Sequence, residues 1–173
     1  METRTQSYLI QKNQTRLINL FGYTSKSVPG LEIHGLGRQG VLVREKLLYL
    51  TRKHRFPLPC LRFSISVETP YLSPSRDWEV MAPLEFPLLL LFWTLSHNLK
   101  LTKPEQCLSA AVLAPDGTVT FGPKPQVSDK IRGLTLIHPY PGEQKSIDPR
   151  QLFAHASGIK FKGHLALKKA RAG

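Results

Sequence analysis

At 173 residues the chain has the length of one domain plus tails, and at 41% hydrophobic and 21% charged its composition excludes disorder throughout. Lys and Arg together number 24 against 12 acidic residues, giving a formal net charge of +12 and a pI near 10.0. Such an excess is the electrostatic footprint of a nucleic-acid binder; an acidic protein partner or an inert basic surface are the alternatives.

Residues 1–15 are polar, carry no signal-peptide pattern, and are expected to form a flexible N-terminus. Arg16 to Tyr23 and Leu31 to His34 read as strands joined by a turn around Val28-Pro29-Gly30. Residues 38–55 have helical spacing, with Val43, Leu47 and Leu50 on one face and Arg38, Glu45, Lys46, Arg52 and Lys53 roughly opposite. Pro57 and Pro59 are expected to stop this helix. Leu61 to Val67 alternates as a strand, with Leu61, Phe63, Ile65 and Val67 on one side. Thr69 to Pro83 reads as a long loop, and Glu85 to Leu99 as a central helix with Pro87 in its first turn. Its apolar run, Phe86 to Trp93, is far shorter than the roughly 20 residues that span a bilayer, so a soluble, cytoplasmic protein without membrane contact is expected. Leu108 to Phe121 reads as a hairpin around Pro115-Asp116-Gly117, and Gly133 to His138 as a further strand. Asp148 is placed to cap a short helix reaching Ser157, with Pro149 at its first position. Residues 159–173 then form a basic C-terminal tail, whose removal after Gly158 would lower the charge from +12 to +7 with little expected loss of burial. The element order describes an α+β domain over residues 16–158, a two-layer sandwich of a mixed sheet and helices.

Chemistry-bearing patterns are few. Gly35-Leu36-Gly37-Arg38-Gln39-Gly40 fits G-x-G-x-x-G between a strand and a helix, the context of a dinucleotide fingerprint. However, the next acid at a strand end, Glu68, is 28 positions beyond Gly40, and a tight strand-to-helix turn explains the glycines as well. No G-x-x-x-x-G-K-[ST] and no G-x-S-x-G occur, and the six histidines have no metal-ligand spacing, so neither cofactor nor metal is expected. Cys60 and Cys107 sit in no paired motif and read as two buried thiols. The basic residues form the more informative set: Arg38, Arg52, Lys53 and Arg55 along one helix, and Lys160, Lys162, Lys168, Lys169 and Arg171 in the tail. All nine are candidate phosphate contacts.

Residues Val28 to Leu36 (VPGLEIHGL) look like the "GLPGLTIVGLP" opening of the ComM-type magnesium-chelatase-like ATPase family. The helix ending His54-Arg55-Phe56-Pro57 is similar to that family's "SGFEFP", and Glu85-Phe86-Pro87-Leu88 stands where it has "DLPI". Leu61 to Val67 falls in the place of "ITVNLAP", Ala114 to Val119 resembles "LDGxLRP", and Gly133 to Gly158 resembles the closing segment. The resemblance implies the Lon proteolytic-domain-like fold, shared with a ribosomal small-subunit protein, without the ATPase module. It also implies a Ser–Lys dyad position, where this chain has Glu85 for the serine and Gln126 near the lysine. The expected function is a non-enzymatic accessory or scaffold domain that binds nucleic acid without strong sequence preference or docks onto a DNA-processing assembly. A degenerate Lon-like peptidase, a nucleotide-cofactor enzyme and a structural homo-oligomer are the alternatives.

Overall fold

The computed structural model describes residues 1–68, 78–126, 128–139, 145–154, 156 and 158–162. It has the expected α+β architecture. A seven-stranded mixed sheet contains β1 (Glu2–Gln11), β2 (Gln14–Ser25), β3 (Gly30–His34), β4 (Arg62–Glu68), β5 (Cys107–Ser109), β8 (Thr135–Ile137) and β9 (Ser146–Ile147), in the order β3-β4-β2-β1-β5-β8-β9. A smaller sheet contains β6 (Ala111–Leu113), β7 (Thr118–Phe121) and β10 (Lys160–Lys162), in the order β10-β7-β6. The helices are α1 (Gln39–Lys53), α2 (Trp78–Met81), α3 (Glu85–Leu95) and α4 (Pro149–Leu152).

The first fifteen residues correct the expectation of a flexible terminus. Strand β1 lies inside the large sheet, antiparallel to β2 and parallel to β5. Lys12 and Asn13, both at positive φ (47° and 59°), make the two-residue turn of the β1–β2 hairpin. The strand's alternation is masked in the sequence because the inward side chains Thr5 and Ser7 are polar yet buried. Tyr8 and Ile10 point to the opposite face, where Ile131 and Leu134 cover them together with Leu108 and Leu136.

Helix α3 is buried at every position, as its apolar composition requires. It packs between the large sheet and the strand β6, with Trp93 bonded through Nε1 to Thr51 Oγ1 of α1 at 2.8 Å. Helix α2 and a 3-10 turn at Ala82–Leu84 run into it, so the part of the expected loop from residue 78 onward is helical, while residues 69–77 lie outside the described residues. Together Trp78–Leu95 is long and apolar enough to cross a membrane by length and composition, but 72% of it is buried inside the fold.

Both large helices end by a local backbone device, which in α1 closes the helix ahead of Pro57 and Pro59. In α1, Phe56 N donates to Thr51 O and Arg55 N to Arg52 O, while Arg55 adopts φ 55°. This is a Schellman ending with arginine where glycine is usual. Helix α3 ends likewise, with Asn98 N on Trp93 O, His97 N on Thr94 O, and His97 at φ 60°, which stops it four residues before the expected Leu99. The Asp148 cap is as expected: its Oδ1 accepts from Arg150 N at 2.9 Å, although the helix beyond it spans only Pro149–Leu152.

The expected Leu108–Phe121 hairpin divides. Cys107–Ser109 joins the large sheet beside β1, and only Ala111–Leu113 pairs with β7. Cys107 is buried, and burial pushes its thiol up to about 11, whereas Cys60 is exposed, against the expectation of two buried thiols. A thiol reagent at neutral pH should therefore titrate one cysteine in the native protein and two after denaturation. Rapid reaction of both in the native state would contradict this placement.

Candidate nucleic-acid interface

The structure brings part of the predicted basic set together and separates the rest. Arg52 and Lys53 occupy the last turn of α1, where cations complement the helix dipole, and Arg55 follows at the C′ position. The Lys53 ammonium donates to the carbonyl of Asp116 at 2.7 Å, tying the helix end to the turn between β6 and β7. Strand β10 begins at the same turn: Lys160 N donates to Gly117 O at 3.3 Å, and Lys160 pairs with Thr118. Arg52, Lys53, Arg55, Lys160 and Lys162 are all exposed. Lys160 and Lys162 flank Phe161, so strand alternation puts both cations on one side. Arg38 sits at the other end of the 15-residue helix, about 20 Å away at 1.5 Å per residue, and does not belong to the cluster. Lys168, Lys169 and Arg171 lie outside the described residues.

Asp116 is the acid at this turn, and its carboxylate is already used. Oδ1 accepts from Thr118 N at 2.8 Å and Oδ2 from Thr118 Oγ1 at 2.9 Å. These bonds, with Lys160 and Lys53 nearby, hold the carboxyl below the usual carboxylate range. The carboxylate holds the turn, and the Lys53 and Lys160 ammonium groups stand beside it.

The tail expectation needs revision where β10 forms. Ile159 and Phe161 pack against the main core, and the Phe161 ring stacks on Phe153 at 5.7 Å. A chain cut after Gly158 would lose that packing, so a cut that removes only charge belongs after Lys162. It lowers the formal charge from +12 to +9, because residues 163–173 hold Lys168, Lys169, Arg171 and no acid.

Lys46, assigned by helical spacing to the side opposite the apolar face, turns inward instead. Its ammonium donates to Glu85 Oε1 at 2.6 Å and to Leu113 O at 2.8 Å, while Glu85 Oε2 accepts from Leu113 N at 3.0 Å. The Glu85 side chain is only 4% exposed and that of Lys46 22%. At the other dyad position, Gln126 N donates to Thr15 Oγ1 at 3.0 Å.

The glycines of Gly35–Gly40 have packing roles. A Cβ on Gly35, at φ +89°, would stand 2.1 Å from Val67 O, and one on Gly40 would stand 2.9 Å from Ile33 O. The N–H groups of Gln39, Gly40 and Val41, which a phosphate at this helix start would use, donate to the carbonyls of Leu36, Gly37 and Arg38. A separate cavity of about 620 Å³ on the outer sheet face mixes Arg4 with Glu68 and Glu105, and so lacks a single sign of charge. Among the described residues no three His, Cys, Asp or Glu side chains gather as a metal-ligand group. Compared with models of known protein families and with characterised proteins, the chain matches none.

Proposed function

We propose that this protein is a cytoplasmic, non-enzymatic accessory domain that binds nucleic acid through its phosphates, without strong sequence preference. The observation that carries the reading is the meeting of Lys53 and Lys160 at one turn whose acid is internally bonded, with Arg52 and Arg55 close to Lys53 along the chain and Lys162 on the strand of Lys160. Exposed cations on a rigid helix end and strand give phosphate contacts that position a duplex or single strand without reading bases. The likeness to the ComM-type N-terminal domain, and through it to a Lon-like fold, supports a place in DNA processing. Against a peptidase reading stands the absence of a serine at the dyad position, where Glu85 is bonded to Lys46 and to Leu113 N.

The test is a salt titration of DNA and RNA binding. The protein should bind at about 50 mM salt and lose affinity steeply as salt rises, by about 0.9 in the log–log slope for each phosphate contact. Arg52→Ala, Lys53→Ala and Arg55→Gly together should shrink the slope by about 3 and weaken unrelated sequences equally. Glycine is chosen at 55 because the positive φ suits it, so the fold keeps its helix ending. The chain ending at Lys162 reports separately on Lys168, Lys169 and Arg171. Absence of binding at low salt, or an unchanged slope in the triple variant, would overturn the proposal.

A further inference from the structure

We propose that the outward face of α1 is a docking surface for an acidic amphipathic helix of a partner protein. The inference rests on the accessory-domain reading and adds a second kind of partner to it. Among the described residues, seven large apolar or aromatic side chains are exposed, and four belong to neighbouring elements: Val41, Leu42 and Tyr49 on α1, and Val112 on β6. Leu42 is 64% exposed, Tyr49 53%, Val41 52% and Val112 39%. Leu42 and Tyr49 are seven residues apart, two turns along one helix face, and Val41 lies about 100° round the helix from Leu42, still away from the buried side. Strand β6 meets this helix where Lys46 reaches the carbonyl of Leu113, next to Val112. The opposite face of α1 is already buried through Val43, Leu47 and Leu50, and the outward apolar side chains stand outside that core. Clustered exposed apolar surface of this kind is the mark of an interaction site.

The charges around the strip decide the partner's chemistry. Exposed Arg38 stands at one end, and exposed Arg52 and Lys53 at the other, with the Lys53 ammonium 5.9 Å from the Tyr49 ring. The acid within the strip, Glu45, is held by Arg44 at 2.7 Å. An apolar row closed at both ends by cations complements a helix carrying apolar residues at i, i+3, i+4 and i+7 with carboxylates beside them. Nucleic acid fits the strip poorly, since Val41, Leu42 and Val112 offer a phosphate no donor. A partner strand is also disfavoured, because the outward N–H and C=O of Leu113 are taken by Glu85 and Lys46.

The experiment uses the full chain and a fluorescent designed peptide about as long as α1, with leucines at helical spacing and glutamates beside them. A permuted peptide of the same composition removes the apolar face but keeps the charge. The designed peptide should bind about tenfold tighter than the permuted one, and Leu42→Ser with Tyr49→Ser should remove about tenfold of that affinity. The double variant should unfold at the same urea concentration as the parent and keep its DNA affinity and salt slope, since Arg52, Lys53 and Arg55 remain. Equal binding of the two peptides, or full affinity in the double variant, overturns the proposal. So does a parent that sediments as a dimer and a double variant that sediments as a monomer, because the occupant is then a second copy. Lost DNA affinity in the double variant would assign the face to nucleic acid instead. Failure of the nucleic-acid reading is seen independently, as peptide binding without DNA binding.

Discussion

Alanine at Gly35 is expected to lower the stability of this protein by about 4 kcal/mol, at the upper end for a single substitution. Two effects combine there. The backbone stands at φ +89°, a conformation that L side chains adopt only with strain, and the added Cβ would be 2.1 Å from Val67 O of β4. Val67 O cannot swing aside, since it is backbone in a strand paired with β2. Three other glycines separate the causes. Gly133→Ala, at φ +97° in open space, should cost about 1 kcal/mol from conformation alone. Gly40→Ala meets Ile33 O at 2.9 Å without positive φ, and the clash competes with a helix-propensity gain of up to about 1 kcal/mol. Gly30→Ala meets nothing within 4 Å and should be close to neutral. Urea unfolding followed by far-UV circular dichroism ranks the four. A Gly35→Ala protein within 1 kcal/mol of the parent would show that the strand-to-helix turn shifts freely, and that the glycine pattern needs another explanation.

Lys46→Met should cost about 3 kcal/mol, because it leaves the Glu85 carboxylate buried with Leu113 N as its remaining bonded partner. The sign of a second substitution makes the test specific. In the parent, Glu85→Gln weakens a charge-assisted bond and should destabilise by about 1–2 kcal/mol. In the Lys46→Met background the same change removes an uncompensated buried charge while keeping an acceptor for Leu113 N, so it should stabilise. The four proteins form a double-mutant cycle read by the same denaturation. If Glu85→Gln destabilises both backgrounds equally, the pair is not coupled as its geometry states. The packing consequence is local: the pair occupies the outward backbone groups of Leu113 that a further strand would otherwise use.

Several elements were legible in the sequence because their cause is local. Helix α3 is apolar over nearly its whole length, β4 alternates, Asp148-Pro149 writes a helix start, and Pro115-Asp116-Gly117 writes a turn. The helix endings were legible less well: the αL arginine and histidine at 55 and 97 carry no glycine signal, and only the first helix is followed closely by prolines, Pro57 and Pro59. The strand at residues 2–11 was hidden because Thr5 and Ser7 fill inward positions that apolar residues usually mark.

The candidate site divides along the same line. The sequence by itself determined the excess of positive charge and its two concentrations, on α1 and after residue 158. Only the tertiary structure decided which of those charges meet. Lys53 and Lys160 are joined by the Asp116 turn, and that closure depends on β10 pairing with β7 and on Phe161 stacking over Phe153. The same holds for Lys46, whose partners Glu85 and Leu113 are 39 and 67 residues away. Helical spacing resolves neighbours three and four residues apart, so it assigned Lys46 to water. Burial of the opposed carboxylate, a contact that forms only when α1, α3 and β6 pack together, turned it inward.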